Sequence, residues 1–161
     1  MVIEEMTETE CRAMLGGPHI ARLACALNDQ PYIVPVRVAV DGEFLYGIAT
    51  LGQKIEWMRL NPLVCLEIDD VATDERWTSV VVFGRYEELP HTPDYEDLRR
   101  VAQRLFERRP LWWEPASVPL KSHDLRPRVV FRILMARVTG RRAVPYPERS
   151  SLSVVHASRH P

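Results

Sequence analysis

Cysteine is scarce and scattered, with Cys11, Cys25 and Cys65 the only three in 161 residues. Their odd number and wide spacing exclude a disulfide framework and a CxxC metal knuckle, and their apolar neighbours read as buried free thiols. The five histidines, His19, His91, His123, His156 and His160, form no HxH or HExxH pair, so no metal site is expected. Net charge is also nearly absent, at −1, which removes any whole-protein attraction to nucleic acid. The late arginines Arg126, Arg128, Arg132, Arg137, Arg141 and Arg142 are explained by a solvated strand face with a basic tail. No apolar run approaches the ~18 residues of a membrane span. The first residues, MVIEEMTETE, lack the basic and apolar blocks of a signal peptide. The expectation is a cytoplasmic protein with neither nucleic acid nor membrane as partner.

What is present is an ordinary globular composition, 46% apolar and 27% charged, enough for one hydrophobic core. Thr7 and Glu10 have capping-box spacing, with Met6 placed to staple against Cys11, and Gly16-Gly17 stops the short helix. From His19 the period changes to that of strands. His19 to Leu27 and Pro31 to Val40 flank the turn Asn28-Asp29-Gln30, and Tyr32, Val34, Val36, Val38 and Val40 share one face. Asp41-Gly42 signals a second hairpin into Glu43 to Ile48. A helix follows over Gln53 to Leu60, ended by Asn61-Pro62. Leu63 to Ile68 and Trp77 to Leu89 are strands joined by an acidic loop, with Gly84 a candidate bulge. Pro93 to Arg108 is an amphipathic helix, and Val129 to Thr139 is the last strand. The sum predicts a mainly β fold, a six-stranded antiparallel barrel with peripheral helices. It forms one domain over residues 1–140, with a loose tail over 141–161.

The segment from Tyr46 to Lys54 carries the chemistry. A strand runs into a glycine turn, then a helix with lysine in its first turn. Free N–H groups and the helix dipole attract an anion there, Gly52 permits close approach, and Lys54 adds charge. The same local pattern also fits a solvated turn with an exposed lysine. Arg37, mid-strand opposite the valines, suits a phosphate partner, or equally a solvated barrel wall. In the proline-rich stretch 109–128, Trp112-Trp113-Glu114-Pro115 reads as a lid over a planar ligand, as packing at a dimer interface, or as a plug at the barrel end.

The order Pro31-Tyr32-Ile33-Val34-Pro35-Val36, Asp41-Gly42, Leu45-Tyr46, Gly52-Gln53-Lys54, Arg59-Leu60-Asn61-Pro62, Val64-Cys65-Leu66 and Trp77 to Arg85 resembles flavin-binding split-barrel proteins. These are the relatives of pyridoxamine 5'-phosphate oxidase, particularly the small bacterial branch that includes nitroimidazole-resistance proteins. The resemblance covers residues 5–90, with an echo over Phe131 to Arg141. It implies a homodimer with FMN at the subunit interface. By motif position, Gln53 and Lys54 would bind the phosphate beside Gly52, and Ile48, Ala49 and Thr50 would line the flavin. Pro35, Val36 and Arg37 would run beneath it, and Trp77, Thr78 and Ser79 would approach its ring, often from the other subunit. A histidine common in the nitroimidazole-resistance branch is replaced here by Gly47, so its chemistry does not transfer. The substrate-phosphate pocket of true pyridoxamine phosphate oxidases is not recognisable. The expected function is an FMN-dependent oxidoreductase acting on a small molecule. The alternatives are a flavin or haem carrier without turnover, or a deazaflavin-dependent reductase on the same fold.

Overall fold

The computed structural model describes residues 1–16, 18–107 and 127–146. The Trp112-Trp113 segment and residues 147–161 lie outside the described residues. Among the described residues, seven strands and three α-helices follow in the order β1 (Val2–Met6), α1 (Glu8–Met14), β2 (Pro18–Leu27), β3 (Gln30–Asp41), β4 (Phe44–Thr50), α2 (Gln53–Leu60), β5 (Leu63–Thr73), β6 (Arg76–Glu88), α3 (Glu96–Glu107) and β7 (Arg128–Val144). A single 3₁₀ turn, Pro93–Tyr95, leads into α3.

All pairings are antiparallel, and the order β7-β4-β3-β2-β5-β6 closes on itself through β6–β7. Six strands therefore form the barrel. The seventh, β1, was not expected from the sequence: its burial alternates too weakly to read as a strand. It is held because β7 outruns β4, and Val2–Met6 pair with Gly140–Val144 on the edge so exposed. The predicted end of the last strand at Thr139 and the start of the tail at 141 are both corrected by this pairing. The acidic loop predicted after Ile68 is likewise shorter. β5 continues to Thr73, leaving Asp74-Glu75 as a two-residue connection.

Local chemistry accounts for the rest. Asn28 and Asp29 adopt φ of 50° and 62°, the left-handed pair that a tight hairpin requires and that Asn and Asp tolerate. Gly84 sits at the register shift between Phe83 and Gly84. A Cβ there would stand 2.7 Å from the carbonyl oxygen of Leu134. The inward residues Leu23, Leu45, Leu66, Val80, Val82, Phe131 and Ile133 fill the barrel, and Ile55 and Met58 of α2 close it, all fully buried. A second cluster forms outside the barrel, where Ala102 of α3 packs on Tyr46 and Leu89. Of the thiols, Cys11 and Cys25 are buried and Cys65 is half-buried.

The box at α1 forms in full. Glu10 accepts from the Thr7 N–H at 2.8 Å, and Thr7 Oγ1 accepts from the Glu10 N–H at 3.3 Å. Arg142 adds an ion pair to Glu10 at 2.8 Å. The hydrogen bonds from Thr7, then that from Arg142, hold the Glu10 carboxyl down at about 2. A carboxyl depressed on folding stabilises above its ordinary value of 4.5 and loses that contribution as pH falls toward about 2. Glu10→Gln should therefore flatten the acid limb of the stability curve over that interval, checked by thermal melts at stepped pH. An unchanged slope would contradict the assignment.

Candidate functional site

Where α3 lies across the outer face of the barrel, it leaves a cleft of about 420 Å³ against the middle of β3 and the ends of β4 and β7. Arg37 lines it from β3, Ile48, Ala49 and Thr50 from β4, Arg128 from β7, and Gln103, Phe106 and Glu107 from α3. Four of the residues singled out in the sequence thus come together from two strands. Alternation places Arg37, Ile48 and Thr50, which point away from the core into which Leu45 projects, whereas Ala49 shares the Leu45 face and packs partly on the core.

Arg37 is neither solvated nor aimed straight into the open cleft. Its guanidinium lies over the Phe106 ring, 5.0 Å from the centroid, and Nη2 donates to the Phe106 carbonyl at 3.3 Å. Cation–π contacts of this kind contribute about 0.5–2 kcal/mol, so the C-terminal turn of α3 fixes the arginine on the cleft wall. Pro35 is exposed beside it, whereas Val36 faces the core. Val36 therefore offers a ligand in this cleft only its backbone.

Past Thr50 the chain turns into α2. Leu51 N–H donates to the Pro127 carbonyl at 2.9 Å, tying this turn to the start of β7. The N–H groups of Ile55 and Glu56 bond to the Gly52 carbonyl at 2.9 and 3.1 Å. Those of Gln53 and Lys54 precede the first helical bonds and form the anion-attracting end. Gly52 has φ of 171°, extended backbone open to any residue, and a Cβ on it would meet nothing within 4 Å. Neither conformation nor packing requires glycine here, and the space beside the backbone is open. Gln53 is exposed and Lys54 half-buried. Burial raises the Cys25 thiol, and the Lys54 charge pulls it partly back, so the ammonium acts near the end of β2.

Trp77, Thr78 and Ser79 are not brought to this cleft. Trp77 and Ser79 line a separate hollow of about 480 Å³ on β6 and β7, with Thr139, Gly140 and Arg141. Thr78 faces a third, beside His19 and Asp70. Ser79 Oγ donates to Glu67 at 2.8 Å, and Glu67 in turn pairs with Arg22. Sequence reasoning missed Gln103, Phe106 and Arg128. The helical spacing of Gln103 and Phe106 was visible, but Arg128 was absorbed into a run of arginines read as one solvated face. Among the described residues no three His, Cys, Asp or Glu side chains gather as a metal site, and no helix is long and apolar enough to cross a membrane.

Gly47, the position of the missing histidine, faces inward. A Cβ there would come within 2.2 Å of the Phe131 ring. Phe131 is fully buried and its ring lies 5.5 Å from that of Tyr86. The aromatic ring takes the room a side chain would need.

Comparison with known proteins agrees with this architecture. A protein of Rhizobium meliloti (strain 1021) without assigned function is 42% identical over 146 residues, 89% of this chain and 97% of its own length. The crystal structure of a FAD-binding protein from Mesorhizobium loti superposes with a TM-score of 0.74 at 39% identity, covering 89% of this chain and 99% of that one. The FAD-binding protein of Mycobacterium smegmatis shares the fold, with a TM-score of 0.61 at 22% identity, over 86% of this chain and 98% of its own. The family described as pyridoxamine 5'-phosphate oxidase matches residues 7–142. With its closed antiparallel barrel and its helix-led turn after β4, the chain belongs to the pyridoxamine 5'-phosphate oxidase family.

Proposed function

We propose that the protein is a flavoprotein that holds the FMN unit of its cofactor in the cleft of Arg37 and Ile48–Thr50. Its phosphate would lie on the turn Gly52-Gln53-Lys54. One observation carries this reading: Arg37 and Ile48–Thr50 line one cleft, and the chain passes from Thr50 within two residues to a helix start whose first N–H groups precede the helical bonds. The Mesorhizobium loti relative, at 39% identity, binds FAD, of which FMN is the flavin half. Ile48, Ala49 and Phe106 offer apolar surface to a flat ring, while Arg37 and Lys54 supply charge toward phosphate. A bound flavin supplies hydride and electron chemistry, and the protein's own work is binding, orientation and exclusion of water. The activity proposed is therefore oxidation or reduction of a small molecule. Trp77, Thr78 and Ser79, remote from the cleft in one chain, would reach the flavin from a second copy in a homodimer.

The purified protein should be yellow and release a flavin identifiable by mass spectrometry. Lys54→Ala should weaken retention about tenfold to a hundredfold, the worth of one charge-assisted hydrogen bond at ~1.5–3 kcal/mol. A colourless protein that takes up neither FMN nor FAD would sink the proposal. Turnover is tested separately, by bleaching of the flavin with a nicotinamide donor and its recovery with an acceptor.

A further inference from the structure

Phe106 meets Arg37 twice, once through its ring at 5.0 Å and once through its carbonyl at 3.3 Å. The ring is attracted by the charge of the guanidinium, and the carbonyl takes one N–H of a group that carries five. A phosphate is gripped through two N–H groups of the same planar fork. Helix and phosphate can therefore hold one arginine together, and the first contact can prepare the second. Arginine has much rotamer freedom to lose when a ligand fixes it. A side chain already fixed before binding loses less, and the ligand binds more tightly for it.

What places Phe106 is packing under α3. Ala102, one helical turn earlier on the same face, is fully buried against Tyr46 and Leu89. Arg99, a further turn back toward the N-terminus, donates to the Leu89 carbonyl at 2.6 Å. These contacts seat α3 on the barrel, and its last turn then carries the half-buried Phe106 to β3, where it lines the cleft with Ile48 and Ala49. The ring stands on the wall that a ligand would face, and the arginine it holds belongs to the opposite element. Anything that fixes Arg37 more firmly must also fix the last turn of α3, because linkage between two contacts of one group is reciprocal.

We propose that Phe106 is a positioning residue, which orients Arg37 for the phosphate of the bound flavin, and that the bound flavin in return steadies the last turn of α3. This role rests on the flavin reading above and adds to it a coupling between helix and ligand. The test is a double-mutant cycle on FMN affinity, read by flavin fluorescence on the cofactor-stripped full chain, with circular dichroism confirming that each variant folds. Phe106→Leu keeps apolar bulk and loses the ring, so it should weaken FMN binding about threefold to tenfold. Phe106→Tyr keeps a ring and should stay within about twofold of the parent. In an Arg37→Met background, Phe106→Leu should change affinity by less than about twofold, because the group it positions is gone. Hydrogen exchange of the Gln103 to Glu107 amides should slow about threefold or more when FMN saturates the parent protein, and stay unchanged in Arg37→Met. An equal loss from Phe106→Leu in both backgrounds would make the ring a plain apolar wall. That result, or exchange in the parent indifferent to FMN, would overturn the positioning role and leave the flavoprotein reading intact. Failure of the parent protein to bind FMN or FAD would overturn both.

Discussion

Phe131→Ala is expected to cost about 3–5 kcal/mol of folding stability, the range for removing a buried aromatic ring. Phe131 is fully buried, its ring packs against Tyr86 at 5.5 Å, and its backbone pairs with both Gly47 and Glu88. It thus sits where β7 bridges β4 and β6, at the closure of the barrel. Few residues nearby can collapse into the gap, because Gly47 across the ladder has no side chain to extend. A domain of this size has about 5–15 kcal/mol in hand, so the variant should fold but melt roughly 6–20 °C lower. Urea denaturation would read the loss directly. A fall below about 1 kcal/mol would mean that the ring does not close the barrel.

The converse substitution, Gly47→Ala, should be destabilising by about 1–3 kcal/mol, the usual cost of overpacking. The added Cβ would meet three Phe131 ring atoms at 2.2, 2.6 and 2.8 Å, and that ring cannot retreat through Tyr86. The two positions should therefore be coupled. Gly47→Ala combined with Phe131→Leu is expected to be more stable than the sum of the single losses, by about 0.5–3 kcal/mol. Strict additivity would contradict the direct contact. The same clash explains why a histidine cannot stand at this position in this chain without displacing Phe131. The absent histidine is thus part of a different core packing as well as a change of chemistry.

The last turn of α2 is fixed to the barrel by Arg59, whose Nε and Nη2 donate to Glu88 at 2.7 and 2.8 Å. Tyr86 donates to the same carboxylate at 3.1 Å. Arg59 first, then the Tyr86 hydroxyl, holds the Glu88 carboxyl below its ordinary value, while burial opposes them and also raises the Tyr86 phenol. This clamp positions the helix whose first turn carries Gln53 and Lys54, linking barrel closure to the candidate phosphate site.

Much of this was determined by the sequence alone, because it follows from short-range rules. Thr7 and Glu10 make a capping box by spacing, Gln53 to Leu60 is bounded by Gly52 and Pro62, and alternation from Tyr32 to Val40 settles which strand face is inward. The family order of motifs was legible for the same reason. Each motif is a local turn or strand end, and Arg37, Ile48, Ala49 and Thr50 do line one cleft. Tertiary structure decided what depends on partners far along the chain. Val2–Met6 is a strand only because β7 extends past β4 and offers an unpaired edge. Arg128 differs from its neighbouring arginines only because Thr50 and α3 stand beside it, and Trp77 to Ser79 lie on another face of the barrel. Gly47 looked like a missing functional group, but it is the space that Phe131 occupies, a fact set by contact between residues 84 positions apart.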